Sequence, residues 1–228
     1  MGQSDFMQNT IQDVLLRGQS ATIATKVLSW NSTPTYYVGL IGGSTFPNSG
    51  AWLPSTAYTS GQYCWPATPN GRLYKCTTSG TSNSSAPTWP TTAGATVSDG
   101  GAVWTEQTAA LEALTGATMP EPSGNAYARQ AWTCSLATIM GTTLTASASA
   151  SSGISGTVAN LAAITFPQAT PAAWGPIWGI FIADASTNGN HLHNYPLQTP
   201  KVVSASDQMT FGAGTANTTY GSIQITAG

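Results

Sequence analysis

Charge is what this chain most conspicuously lacks. Six Lys and Arg and eight Asp and Glu stand among 228 residues, so 6% of the sequence is charged, against roughly a quarter in an average soluble domain. The polar surface must therefore be built from Ser, Thr, Asn, Gln and Gly, which do not hold neighbouring molecules apart by repulsion. So few cations cannot neutralise a row of phosphates, which excludes nucleic acid as a partner, and polybasic attraction to anionic lipid is excluded for the same reason. Thr and the aromatic residues favour strands, while 24 Gly and 14 Pro supply turns. With 41% hydrophobic residues the chain has enough to bury and is not of disordered composition. These features predict a mainly β protein.

One segment departs from that rule. Phe6, Met7, Ile11, Val14 and Leu15 recur at helical spacing, which predicts a helix over 5–17 with a single apolar stripe. Ser4 or Asp5 can cap its start, Arg17 complements the dipole at its end, and Gly18 stops it. Asp5 and Asp13 are placed on the helix surface. A nearly continuous apolar run, Thr35 to Ile41, reads as a core strand.

Residues 50–107 then change character. They hold Trp52, Trp65, Trp89 and Trp104 with Tyr58, Tyr63 and Tyr74, and few aliphatic side chains. So sharp a shift marks a separate module inserted into a domain formed by 1–49 and 108–228. Within it, short strands are predicted at 61–66, 72–78 and 102–106. Beyond it, a helical turn is predicted at Glu112–Thr115 and strands at 127–138, 142–147, 160–166, 176–183, 200–204, 208–211 and 219–226. Asn188-Gly189-Asn190 and Gly212-Ala213-Gly214 carry the glycines that hairpins need. The fold expected is an antiparallel β-sandwich with an N-terminal helix and a small inserted β module.

No stretch approaches the ~20 consecutive apolar residues of a membrane span. Met1 to Asp5 has neither the basic nor the apolar region of a secretory signal. Three cysteines, Cys64, Cys76 and Cys134, fit no disulfide framework and no four-ligand zinc site. Cys64 and Cys76 either pair across neighbouring strands or stay as two buried thiols, and Cys134 reads as a core residue.

Several patterns together resemble a known family. Tyr36-Tyr37-Val38-Gly39-Leu40 is followed by Tyr127-Ala128-Arg129-Gln130-Ala131, by Ile164-Thr165-Phe166-Pro167 with Trp174-Gly175, and by Ile180-Phe181-Ile182-Ala183-Asp184-Ala185 with Gly189-Asn190. In this order, over 5–45 and 120–228, they resemble small tailed-bacteriophage structural proteins, labelled tail-fibre-like or minor virion proteins, in which an N-terminal helix precedes a β-sandwich. The insert carries Trp52-x-Pro54, Tyr58-x-x-Gly61, Tyr74-Lys75-Cys76, Gly80-Thr81-Ser82, Pro87-Thr88-Trp89, Asp99-Gly100 and Trp104. That pattern is similar to the small carbohydrate-binding-like modules of phage tail proteins and chitinases, with Asn83 where Gly is more typical.

The resemblance implies a virion location, reached by lysis rather than secretion. It also implies virion proteins as partners, a homo-oligomer (a trimer is the expectation), host-surface glycan contact and no cofactor. Of the two placements, capsid decoration is expected before the alternative, a tail-fibre or tail-tip component, because the chain is short and has no repetitive shaft. The helix would attach it through Phe6, Met7, Ile11 and Val14.

Aromatic faces stack on the C–H faces of pyranose rings, so Trp52, Tyr58, Trp65, Trp89 and Trp104 are candidates for sugar contact. The same rings also have to serve as the core of a module with little else to bury, which is the expected role of most of them. Trp65 is the first choice for an exposed ring. His191 and His193, two apart on one strand, share a face and so could form a metal pair, with Asp184 the nearest carboxylate. No third ligand is signalled, so no metal is assigned. Arg129, a lone charge in an apolar run, is expected to pair with Glu121 or Asp207 or to bond carbonyls at a subunit contact. The chain lacks G-x-S-x-G, H-E-x-x-H and a phosphate loop, and its acids suggest no catalytic carboxylate pair, so no enzyme is expected.

Overall fold

The computed structural model describes residues 5–23, 26–28, 34–42, 50–68, 70, 72–107, 111, 113–140, 157–213 and 224–226. In chain order the elements begin with α1 (Asp5–Arg17), β1 (Ala21–Ile23), β2 (Lys26–Leu28) and β3 (Thr35–Gly42). Then come β4 (Gly50–Ala51), β5 (Ala57–Tyr58), β6 (Tyr63–Trp65), β7 (Tyr74–Thr78), β8 (Gly80–Thr81), β9 (Thr96–Asp99) and β10 (Ala102–Glu106). The rest are β11 (Gln130–Thr133), β12 (Ile139–Met140), β13 (Thr157–Asn160), β14 (Ile164–Gln168), β15 (Gly175–Ala183), β16 (His191–Val203), β17 (Gln208–Phe211) and β18 (Gln224–Thr226). The protein is mainly β with antiparallel sheets and one N-terminal helix. Among the described residues no helix is long and apolar enough to cross a membrane.

The chain divides into two compact units, one of Met1–Tyr37, Gln130–Phe166 and Met209–Gly228, the other of Val38–Arg129 and Pro167–Gln208. In the first, α1 spans the predicted residues and ends at Gly18, whose φ of 65° is the left-handed conformation that glycine adopts freely. Its inward face is not the predicted apolar stripe. Thr10, Gln12, Asp13, Val14, Leu16 and Arg17 are buried, whereas Phe6 is 59% and Leu15 42% exposed. Asp13 therefore lies inside rather than on the surface, and Arg17, in the last turn where it complements the dipole, is buried with it. Four residues apart on one helix face, the two close a salt bridge of 2.6 Å, and Arg17 Nε donates to the Ile139 carbonyl at 3.3 Å. Trp132, Ile139, Val158, Phe166 and Phe211 are among the buried apolar side chains of this unit, with Phe166 and Phe211 meeting edge-on at 6.3 Å.

In the second unit β15 lies between the later part of β3 and β16. Gly39 is dictated by packing, since a Cβ there would collide with the Phe181 ring. The β15–β16 hairpin turns through Asn188 and Gly189 at φ 54° and 74°, as the Asn-Gly pair predicts. Its register jumps between Ile177 opposite Lys201 and Gly179 opposite Pro196, so residues 197–200 bulge opposite Trp178. Of this long strand, only the end, 200–204, is predicted from the sequence. The strand predicted at 127–138 is confined to Gln130–Thr133. Gly124, Asn125 and Ala126, all at positive φ, turn the chain before it, and a turn from Ser135 to Ile139 closes it. The strand predicted at 142–147 and the turn residue Gly214 lie outside the described residues, as does Glu112 of the predicted helical turn.

Segment 50–107 falls within this second unit. It has its own five-stranded sheet of order β4-β6-β7-β10-β9, antiparallel except where β4 runs parallel to β6, and β5 pairs with β8 beside it. The strands predicted at 61–66, 72–78 and 102–106 are β6, β7 and β10, while β4, β5, β8 and β9 are too short or too polar to stand out in sequence.

Candidate functional site

Alternation sorts the side chains of the module sheet. Cys64 on β6, Tyr74 and Cys76 on β7, and Ala102 and Trp104 on β10 all point to one face and join Trp52 and Tyr58 in a buried cluster, with Trp89 and Val97 packed against it. The rings meet edge to face or tilted: Tyr58 with Trp104 at 4.7 Å, Trp89 with Trp104 at 5.9 Å, and Trp89 with Tyr74 at 4.4 Å.

At the end of this cluster sits Asp99, wholly buried, with no cation among its hydrogen-bond partners. Its Oδ2 accepts the indole N–H groups of Trp52 at 2.7 Å and Trp104 at 3.0 Å, and its Oδ1 accepts the Asn83 backbone N–H at 2.9 Å. One carboxylate thus fixes two rings and the loop that follows β8. At the other end Glu106, also buried, takes Arg72 Nη1 at 3.1 Å and the Gly94 N–H at 3.2 Å. Tyr74 donates its hydroxyl to the Pro90 carbonyl at 2.8 Å and accepts Asn70 Nδ2 at 2.9 Å. Tyr58 accepts the Leu53 N–H at 2.8 Å. Burial pushes the phenols of Tyr58 and Tyr74 and the thiols of Cys64 and Cys76 above their ordinary values. Both cysteines are free thiols, as is Cys134.

Of the five rings proposed for sugar contact, Trp52 (5% exposed), Tyr58 (9%) and Trp104 (0%) are core, so their faces are taken by protein. Trp65 is half-buried but packs, with Tyr63, against a second cluster of Ile41, Leu73, Trp178 and Phe181. Trp89 is half-buried on the irregular segment between Pro87 and Pro90. On the outward side of the sheet Lys75 lies over the Tyr63 ring at 5.8 Å, and the Thr77 and Thr105 hydroxyls meet at 3.3 Å.

The remaining candidates are placed as follows. On α1, Val14 is turned inward, Met7 and Ile11 are half-buried and Phe6 is exposed. His191 and His193 both lie on β16, where His193 stacks on Tyr195 at 6.1 Å and the His191 ring meets Phe181 at 6.4 Å. Asp184 does not turn to them; its two oxygens accept the backbone and side-chain N–H groups of Asn190, both at 2.7 Å. Arg129 takes Glu121 rather than Asp207. It forms a two-pronged pair with that carboxylate at 3.1 and 2.7 Å, donates to the carbonyls of Gly116, Ala185 and Asn188, and lies over the Phe181 ring at 4.8 Å. Glu121 also accepts the Tyr127 hydroxyl at 2.9 Å. Asp99 and the Arg72–Glu106 pair were not anticipated. The signal for Asp99 was present: buried indoles need an acceptor, and the module has hardly another acid.

A protein-family model described as podophage GP4 fiber I protein gp80 matches residues 102–219, just over half of the chain. The chain belongs to this family. It is accordingly a bacteriophage structural protein located in the virion. The stretch matched to the fibre family starts at β10 and runs past β17, whereas α1, β3 and most of the aromatic module precede it. No curated protein and no solved structure matches the chain.

Proposed function

We propose that the protein is a component of the phage tail fibre that acts by contact and not by catalysis, assembled as a homotrimer and touching host-surface glycans through the module at 50–107. The observation that carries the placement is membership of a fibre family, which favours the tail over the capsid-decoration role expected from a short chain without a repetitive shaft. The use of charge supports a contact role. Asp13, Glu106 and Glu121 each hold an arginine, Asp99 holds two indoles, and Asp184 and Asp207 hold turns through Asn190 and the Ser204 N–H. Acids so engaged are fastened to structure and not poised as an acid–base pair. The outward side chains of α1, Phe6 and Leu15 with Met7 and Ile11, form the attachment stripe toward other virion proteins.

Copy number tests the placement. Densitometry of this protein against the major capsid protein in purified particles is expected to give a handful of copies per particle, in multiples of three. Hundreds of copies would return it to the capsid surface. Release of reducing ends from host envelope polysaccharide by the purified protein would overturn the non-catalytic reading.

A further inference from the structure

The aromatic module offers only a few rings to an outside molecule, and the structure separates them. Trp52 and Trp104 have both the ring and the indole N–H engaged, the latter on Asp99. Trp65 rests against the cluster of Ile41, Trp178 and Phe181. Trp89 differs from all three. It is half-buried on an irregular segment, it is backed by Tyr74 and Trp104, and its Nε1 is buried with no hydrogen-bond partner. An indole donor left unused is a standing cost, so the burial of this edge is not explained by the module's own packing.

We propose that the outward side of Trp89 is the stacking platform for a pyranose ring of a neutral saccharide. This rests on the glycan-contact reading above and names the residue and ligand class for it. Stacking needs a ring held still, because any freedom lost on binding is subtracted from affinity. Trp89 is held. Behind it Tyr74 is tied through its hydroxyl to Pro90 and Asn70, and Trp104 is tied to Asp99. Pro87 and Pro90 stiffen the segment on either side, and Thr88, Thr91 and Thr92 present exposed positions for hydroxyl contact along it. The ligand is neutral because Arg72 is bound at 3.1 Å to Glu106, which stands opposite Tyr74, and Lys75 lies on the other side of the sheet over the Tyr63 ring. A sugar carboxylate or sulfate would find no uncommitted cation in that pair.

The test uses the full chain labelled with 15N at tryptophan and titrated with cellotetraose, chitotetraose and a sialylated tetrasaccharide. The Trp89 indole N–H resonance, assigned by its loss in Trp89→Phe, is expected to shift with a neutral probe while that of Trp104 stays. Calorimetry on Trp89→Ala is expected to show affinity reduced on the order of tenfold or more, with Trp65→Ala unchanged. The resonance readout is taken on the unaltered chain and so does not depend on the variant folding. Binding that survives Trp89→Ala, or that moves the Trp65 resonance instead, overturns the platform but leaves glycan contact standing. Binding of the sialylated probe alone overturns the neutral ligand. If the unaltered chain binds none of the probes, glycan contact itself falls and the platform with it.

Discussion

Replacing Asp99 by Asn tests whether one buried carboxylate organises the aromatic module. The carboxylate accepts at both oxygens, two indole N–H groups on Oδ2 and a backbone N–H on Oδ1. An amide has only one oxygen. In its better orientation that oxygen keeps Trp52 and Trp104, and the new NH2 group faces the Asn83 N–H, donor against donor. The lost charge-assisted bond is worth ~1.5–3 kcal/mol. The two surviving bonds lose the charge on their acceptor, which weakens them by about 1 kcal/mol together. The total is about 3 kcal/mol, or roughly 6–12 °C in Tm for a chain of this length. Thermal unfolding of the full chain, followed by indole fluorescence, measures it. Asp207→Asn is the control: its carboxylate is exposed, and an amide oxygen can still reach the Ser204 N–H, so its effect should stay within ~0.5 kcal/mol. If Asp99→Asn costs less than about 1 kcal/mol, the carboxylate is a passenger and the rings hold themselves.

Arg129→Met leaves Glu121 and three backbone carbonyls without their donor, so urea unfolding should show a loss of about 3–5 kcal/mol, with Glu121→Gln milder. All three cysteines are buried, and burial pushes the Cys134 thiol up to about 12, so at about pH 8 a disulfide reagent should react with none of them until denaturant is added. Partial desolvation first, and then the neighbouring His191, hold the exposed His193 ring below its ordinary value of 6.5, so the folded state prefers the neutral form. As pH falls below 6.5 the unfolded chain takes up that proton first, and stability drops toward the folded-state value; above 6.5 the ring contributes no slope. His193→Gln should flatten the difference between unfolding measured at about pH 7.5 and about pH 5.5.

What sequence could and could not disclose follows from the range of the forces involved. The span of α1 is local, set by the spacing of its apolar residues and by Gly18, and it was legible to the residue. Which way the helix faces is not local. Burying Arg17 against Asp13 and the Ile139 carbonyl brings charge to the inward side, and the apolar stripe alone pointed elsewhere. The run at β15 was legible because all of it after Pro176 is buried. Its partner β16 was legible only over 200–204; Pro196 is tolerated because β16 is an edge strand, and Pro200 falls in the bulge. The aromatic candidates show the same division. Composition alone told that the rings must largely bury one another, but only the positions of Asp99 and of the Trp178 cluster decide which rings remain for a ligand.

The interior consumption of charge reaches beyond stability. Every arginine and most of the acids are committed to fixed internal partners, and Ser, Thr and Asn make up much of what the solvent meets. In the contact role proposed above, such an exterior would have almost no counterion cloud to shed, so the strength of that contact would be indifferent to salinity. Its hydroxyls and amides can also be exchanged one at a time without loosening an internal ion pair.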